Sequence, residues 1–315
     1  MRRLFILLGL FLVAVPGGGV DFDYGLEAQR IADGVYVFIG RKEDFSTGNG
    51  GNIVNTGFIV GSGGVVVVDT GPSQRYGKQM RKAIGILTGQ PVSLVLNTHH
   101  HPDHFLGNQA FADRPVGALA GTRAGIERDG NAFAENLFRM AGDWMLGTEV
   151  HAPTVEVSEG VREVGGRRLR FLALEGHTGA DLAIYDERSG VLFAGDLVFN
   201  GRAPTTPHAE LGHWHRALDR LEAITREPGF RALVPGHGEV ARDAAPIRQT
   251  RDYLDWLEGA MRTAAANGMD MNEVLVQPIP REFAGLAVVS SEYRRSVGHL
   301  FPAAEQRVLG QGGSH

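Results

Sequence analysis

The stretch NTHHHPDHFLGNQAF (97–111) constrains this chain most: four of its twelve histidines and an aspartate fall within six consecutive positions. It follows SLVLNT (93–98), an apolar run that predicts a short buried strand, so the cluster stands at a strand's C-terminal end. Alternate side chains of an extended backbone share a face, so His99 and His101 point the same way. Pro102 then turns the chain and lets Asp103 and His104 face a second point nearby. The cluster reads as two half-sites of a metal centre in one loop, against the plainer reading of a solvated basic loop or an adventitious metal patch. Imidazole and carboxylate suit zinc and similar ions. The chain has no cysteine, so any metal site must use His, Asp or Glu.

Two half-sites need further ligands. Three later segments each place one at the end of an apolar run and beside a glycine, where a tight turn can aim a side chain. They are LALEGHTGAD with His177, VLFAGDLVF with Asp196 and ALVPGHG with His237. His100 occupies the intervening position of the motif and is assigned no metal. His208, His213 and His215 in TTPHAELGHWH are candidates for the pocket rim only.

The rest of the chain suggests how these segments converge. VYVFIG (35–40), NIVNTGFIVG (52–61) and GVVVVDTG (64–71) predict strands, with a flexible glycine-rich hairpin loop, DFSTGNGG (44–51), between the first two. The part of it around Asn49–Asn52 reads equally as a flap over the substrate or as an ordinary turn. A helix capped by Ser73 follows, and 122–146 is mostly helix-compatible. Strands return in TVEVSEG, LRFLALEG, LAIYDERSG and VLFAGDLVF, with Ser189-Gly190 at a hairpin turn. WHRALDRLEAI and IRQTRDYLDWLEGAM are amphipathic helices flanking RALVPGHG. Two halves of this kind, packed sheet on sheet with helices outside, predict an α+β fold, a four-layer αββα sandwich. No linker separates them, so one domain is expected over 20–267, followed by a C-terminal extension (268–315) whose role the sequence does not disclose.

Met1-Arg2-Arg3 precedes LFILLGLFLVAV, an apolar run of twelve residues, then PGGGVDF. A basic start, a short apolar core and small residues describe a signal peptide over 1–19, cut near Gly19, and a periplasmic or secreted protein. The run is short of the about 20 residues that span a bilayer; an uncleaved leader is the one membrane attachment the sequence offers. A net charge of −5 with dispersed basic residues gives no nucleic-acid footprint.

With these residues in view, the chain resembles the metallo-β-lactamase superfamily over about residues 30 to 260. The likeness rests on His99, His101, Asp103, His104, His177, Asp196 and His237, with VVVVDTG around Asp69 as a further family-like strand end. It implies the αββα fold, one zinc held by His99, His101 and His177, a second held by Asp103, His104 and His237, Asp196 bridging both, and a water or hydroxide between them. The donor set suits two Zn2+ best and also accepts iron or manganese. Asp103 is expected to act as ligand and as the catalytic acceptor that orients the hydroxide. Asp69 and Thr178 are expected to support ligand imidazoles, since ligating histidines donate their other N–H to a carboxylate or carbonyl; Asp69 equally fits a turn before Gly71-Pro72.

The implied activity is hydrolysis of an ester, thioester or amide bond in a small-molecule substrate. An aspartate at the bridge is the pattern of thioester hydrolases similar to glyoxalase II, yet no cationic cluster for glutathione stands out. DGVYVFIGR and GNGGNIVNTGFIVG, together with the leader, most resemble exported zinc metallohydrolases linked to periplasmic quinoprotein systems. A periplasmic β-lactamase is one alternative. An iron-dependent sulfur dioxygenase on the same scaffold is another, though it needs one metal and leaves Asp103, His104 and His237 without a task.

Overall fold

The structure, a computed structural model, describes residues 22–312; the leader expected over 1–19 lies outside them. One sheet carries, in spatial as in chain order, β1 (Gln29–Ala32), β2 (Val35–Phe38), β3 (Thr56–Gly61), β4 (Gly64–Val68), β5 (Val92–Leu96), β6 (Val116–Ala118) and β7 (Val155–Glu156). The other carries β8 (Gly160–Val164), β9 (Arg167–Leu174), β10 (Asp181–Asp186), β11 (Val191–Asn200) and β12 (Ala232–Gly238). Pairing is antiparallel from β1 to β4 and from β8 to β11, and parallel from β4 to β7 and between β11 and β12. Parallel neighbours need crossovers. These are α1 (Gln74–Leu87), α2 (Pro102–Phe105), α3 (Ala120–Ala141) and, in the second half, α4 (Leu211–Thr225).

Period-two alternation sorts the core into layers. In β4, Val66 and Val68 turn inward to meet Phe171, Ile184 and Phe193 of the facing sheet. Val65 and Val67 turn outward onto Tyr76, Met80 and Ile84 of α1. On the far side Leu192, Ala194 and Tyr185 pack under Trp214, Leu218 and Leu221 of α4 and Ile247 and Leu254 of α5 (Ala245–Ala266). The four-layer αββα sandwich is therefore the fold. Ser73 caps α1 as expected, its Oγ accepting from Tyr76 N–H at 3.1 Å. The Ser189-Gly190 turn also forms, with Gly190 at φ 72° donating to Asp186 O.

Three expectations differ. TVEVSEG is not one strand: Val155–Glu156 ends the first sheet, and Gly160, at φ 135°, begins β8 in the second. NIVNTGFIVG is strand only from Thr56, because Asn52 O accepts from Arg41 N–H while Asn55 N–H donates to Gly236 O across the sandwich. The glycine-rich loop is held rather than loose. Buried Asn49 accepts from Ser46 and Gly51 N–H and donates to Asp44 O and Glu43, while Trp144 packs on Gly50 and donates to Thr47 O.

Beyond α5, α6 (Met271–Leu275), α7 (Val289–Gly312) and the connection between them cover that helix through Val274, Phe283, Tyr293, Val297 and Phe301. Among the described residues no helix is long and apolar enough to cross a membrane.

Polar stitches join the sheets at both ends. At one, buried Arg167 of β9 pairs with Asp186 at 3.1 Å and donates to Val60 O at 2.9 Å and Asp33 O at 2.7 Å in the other sheet. At the other, Asn55 donates to Pro235 O at 2.9 Å and Gly238 O at 2.6 Å, and accepts from Gly40 N–H. Removing one member of a buried pair strands the other, at a cost of about 3–5 kcal/mol. Arg167→Met is therefore expected to lower stability by that order in urea unfolding, and Arg167→Met/Asp186→Leu to recover part of it. A single variant as stable as the parent would contradict this.

Candidate metal centre

The site lies at the C-terminal ends of β4, β5, β9 and β12. His99 and His101 follow β5, His177 follows β9, and His237 ends β12. Asp196 instead lies within β11, at a break in its register with β12. Gly195 takes φ 54° there, a left-handed conformation that glycine adopts freely, and this turns the aspartate into the cleft. Gly236 makes room: a Cβ on it would lie 1.9 Å from Asp196 Oδ1.

The seven expected residues form two groups of potential ligands: His99, His101, His177 and Asp196, and Asp103, His104 and His237; His100, His101 and His208 form a further group beside them. Within each, one nitrogen or oxygen per residue lies within 4.8 Å of the others. All seven side chains are buried. His177 Nε2 and His101 Nδ1 are 2.9 Å apart. Asp196 Oδ2 is 3.4 Å from His177 Nε2, 4.0 Å from His99 Nε2 and 3.1 Å from His237 Nε2, while its Oδ1 is 3.2 Å from His104 Nε2. The carboxylate thus faces both groups. Asp103 Oδ2 lies 3.6 Å from His237 Nε2 and 3.8 Å from His104 Nε2.

The outward nitrogens of His104 and His237 are held individually, whereas His177 Nδ1 is buried without a hydrogen-bond partner. Asp69 Oδ2 is 2.8 Å from His104 Nδ1, and the same carboxylate accepts from Thr98 N–H and Thr98 Oγ–H, each at 2.8 Å. The turn expected at Asp69 is also present, in a left-handed form at φ 56°. His237 Nδ1 donates to Ile53 O at 2.7 Å. Thr178 differs from expectation. Its hydroxyl and N–H donate to Asp181, closing the turn after His177 without a hydrogen bond to an imidazole. Burial pushes the Asp181 carboxyl up to about 7, against those hydrogen bonds. Nothing in the sequence marks Thr98 and Asp181, although both stand inside the quoted motifs, one residue before His99 and four after His177.

The electrostatics suit a cation. Burial, then the neighbouring imidazole of His104, holds His99 well below the usual histidine range; burial and His177 do the same to His101, and burial brings His177 down to about 3. Burial thus favours the neutral, ligating form of these rings. At His104 burial disfavours charge, but the carboxylates of Asp196, Asp69 and Asp103 outweigh it and hold the ring well above its usual range. Burial would raise Asp196, yet His237 and His104 hold it well below. The carboxylates that favour a positive charge on His104 would favour a metal cation in the same way. His99 Nε2, His104 Nε2 and Asp196 Oδ1 are buried without a hydrogen-bond partner; such orphans are costly unless something fills them. The donor set therefore fits divalent metal.

A cleft of about 260 Å³ opens over these groups. Phe45, Ile53, Phe133 and Met140 form apolar walls, and the charged Asp44, Arg202, Glu292 and Arg295 also line it. The C-terminal extension thus contributes to the cleft: Glu292 accepts from Arg202 at 3.2 Å, Thr205 at 2.8 Å and Arg295 at 2.7 Å. Of the three rim candidates, His208 lines the cleft; His213 faces Glu175 and His215 faces Asp255, both outside it.

A family model described as the metallo-β-lactamase superfamily matches residues 49–249. A linear primary-alkylsulfatase from a Pseudomonas species is 21% identical over 78% of this chain and 54% of its own length. A hydroxyacylglutathione hydrolase from Chromohalobacter salexigens is 29% identical over 60% of this chain and 65% of its own. The chain thus spans less than two thirds of either relative. Among solved structures, a β-lactamase domain protein from Burkholderia ambifaria superposes with a TM-score of 0.64 at 20% identity, covering 90% of this chain and 88% of that one.

Asp69→Asn keeps a residue that tolerates the left-handed backbone and removes the charge facing His104. It is expected to weaken zinc binding about 10–100-fold in competition with a chelator. Unchanged affinity would show that Asp69 serves the turn alone.

Proposed function

The chain belongs to the metallo-β-lactamase superfamily, and on that premise we propose that it is a metallohydrolase holding two divalent cations, zinc by preference. His99, His101 and His177 would hold one and Asp103, His104 and His237 the other, with Asp196 shared. The observation that carries this reading is Asp196, whose two oxygens lie within 4.0 Å of imidazole nitrogens from both groups. A site for one metal, as in the oxygenase alternative, would leave the second group without purpose. When bound, such a pair supplies Lewis acidity to a scissile carbonyl and acidifies water.

The chain's own residues do the rest. Asp103 lines the cleft with its carboxylate among the second group, and would accept a proton from attacking water and orient it. Asp69 and the Ile53 carbonyl fix the rings of His104 and His237. Phe45, Phe133 and Met140 give the cleft apolar walls, which would strengthen electrostatic interactions beside them. The apolar walls suit the acyl part of a small ester, thioester or amide, and hydrolytic relatives such as the hydroxyacylglutathione hydrolase favour that class. The basic, then apolar, start of the chain supports a periplasmic or secreted location, and the GNGGNIVNTGFIVG likeness supports a link to a quinoprotein system.

The test is hydrolysis of a panel of p-nitrophenyl esters, acyl thioesters and β-lactams before and after chelation. Activity should vanish on chelation and return with zinc, and Asp103→Asn should lower kcat by about 10²–10⁴-fold. Hydrolysis that survives complete chelation would contradict the proposal.

A further inference from the structure

The outer nitrogen of His101 has an unusual partner. His101 Nδ1 faces the first group, 2.9 Å from His177 Nε2, so Nε2 carries the proton when Nδ1 ligates. That N–H meets His208 Nδ1 at 2.8 Å, across 107 residues of chain. His208 must then accept on Nδ1 and keep its own proton on Nε2. The equivalent partners of His104 and His237 are buried fixtures of the sandwich, Asp69 and the Ile53 carbonyl. His208 is exposed, on the loop 201–210 between β11 and α4.

An exposed side chain on a loop holds a ligand in place only if the loop itself is held, and here the C-terminal extension holds it. Ala203 N–H donates to Ala287 O and Ala287 N–H to Gly201 O, at 3.1 and 3.0 Å. Thr205 Oγ–H donates to Glu292 at 2.8 Å, and Thr206 Oγ–H to Ser296 Oγ at 2.9 Å. At its other end Glu210 N–H donates to Gly176 O, beside His177. We infer that His208 is a positioning residue for His101, presented by a loop that the C-terminal helix braces. This rests on the metallohydrolase reading and gives the extension a task within it. Because the same loop lines the substrate cleft, the orientation of one ligand is tied to the cleft wall.

The test uses the full chain with His208→Phe, His208→Asn and Ser296→Ala, reading zinc affinity by chelator competition and the visible spectrum of the cobalt-substituted protein. His208→Phe should weaken affinity about 10–100-fold and shift the cobalt bands. His208→Asn, whose Oδ1 can stand near the Nδ1 position, should recover most of both. Ser296→Ala should move both in the same direction as His208→Phe and add little to it. Native affinity and spectrum in His208→Phe overturn the proposal. So does a third zinc in the parent that His208→Phe loses, since His208, with His100 and His101 close by, would then be a ligand. A parent that takes up no metal sinks the metallohydrolase reading as well; a parent with two zincs beside an unaffected His208→Phe sinks only this inference.

Discussion

The Asp196 carboxylate lies among imidazoles from both halves of the fold, and that placement depends on an absence of side-chain volume. A Cβ on Gly236 would lie 1.9 Å from Asp196 Oδ1, and Gly195 adopts φ 54° immediately before the aspartate. The two strands break register there, so a ladder that would otherwise point Asp196 along the pleat turns it into the cleft. Thr98 packs against Gly195 and donates to Asp69, which in turn faces His104. One local irregularity in β11 therefore aligns Asp196, His104 and the Asp69 carboxylate that faces that ring.

Such a centre needs both sheets fixed relative to each other. Arg167 joins them at the end away from the site, and Asn55 joins them beside it through carbonyls flanking His237. The extension adds a third brace by closing on the loop that lines the cleft. Ligand placement thus depends on contacts between segments far apart in the chain. The hydrolytic site we propose would need such rigidity, because it would work by holding groups where charge develops.

The sequence made visible those parts that repeat or cluster. The valines of β4, the Ser73 cap and the spacing of His99, His101, Asp103 and His104 carry their geometry locally, and the structure brings together all seven residues expected at the centre. The likeness to a known superfamily supplied the grouping that spacing left open. What stayed hidden depends on distance. Nothing near His208 announces a hydrogen bond to a residue 107 positions earlier, and the Arg202–Glu292 pair is 90 positions apart. Thr178 stands beside His177, yet its hydroxyl meets a nearer acceptor in Asp181, which spacing from the histidine does not show. The glycine-rich loop was read as flexible because composition does not show that Asn49 and Trp144 hold it.

The most direct test of the dinuclear centre is the metal content of the protein isolated without added metal, measured by elemental analysis beside Asp196→Ala and His237→Ala. Close to two zincs per chain, falling sharply in Asp196→Ala, is the expected result. A single iron per chain that His237→Ala leaves unchanged would contradict it.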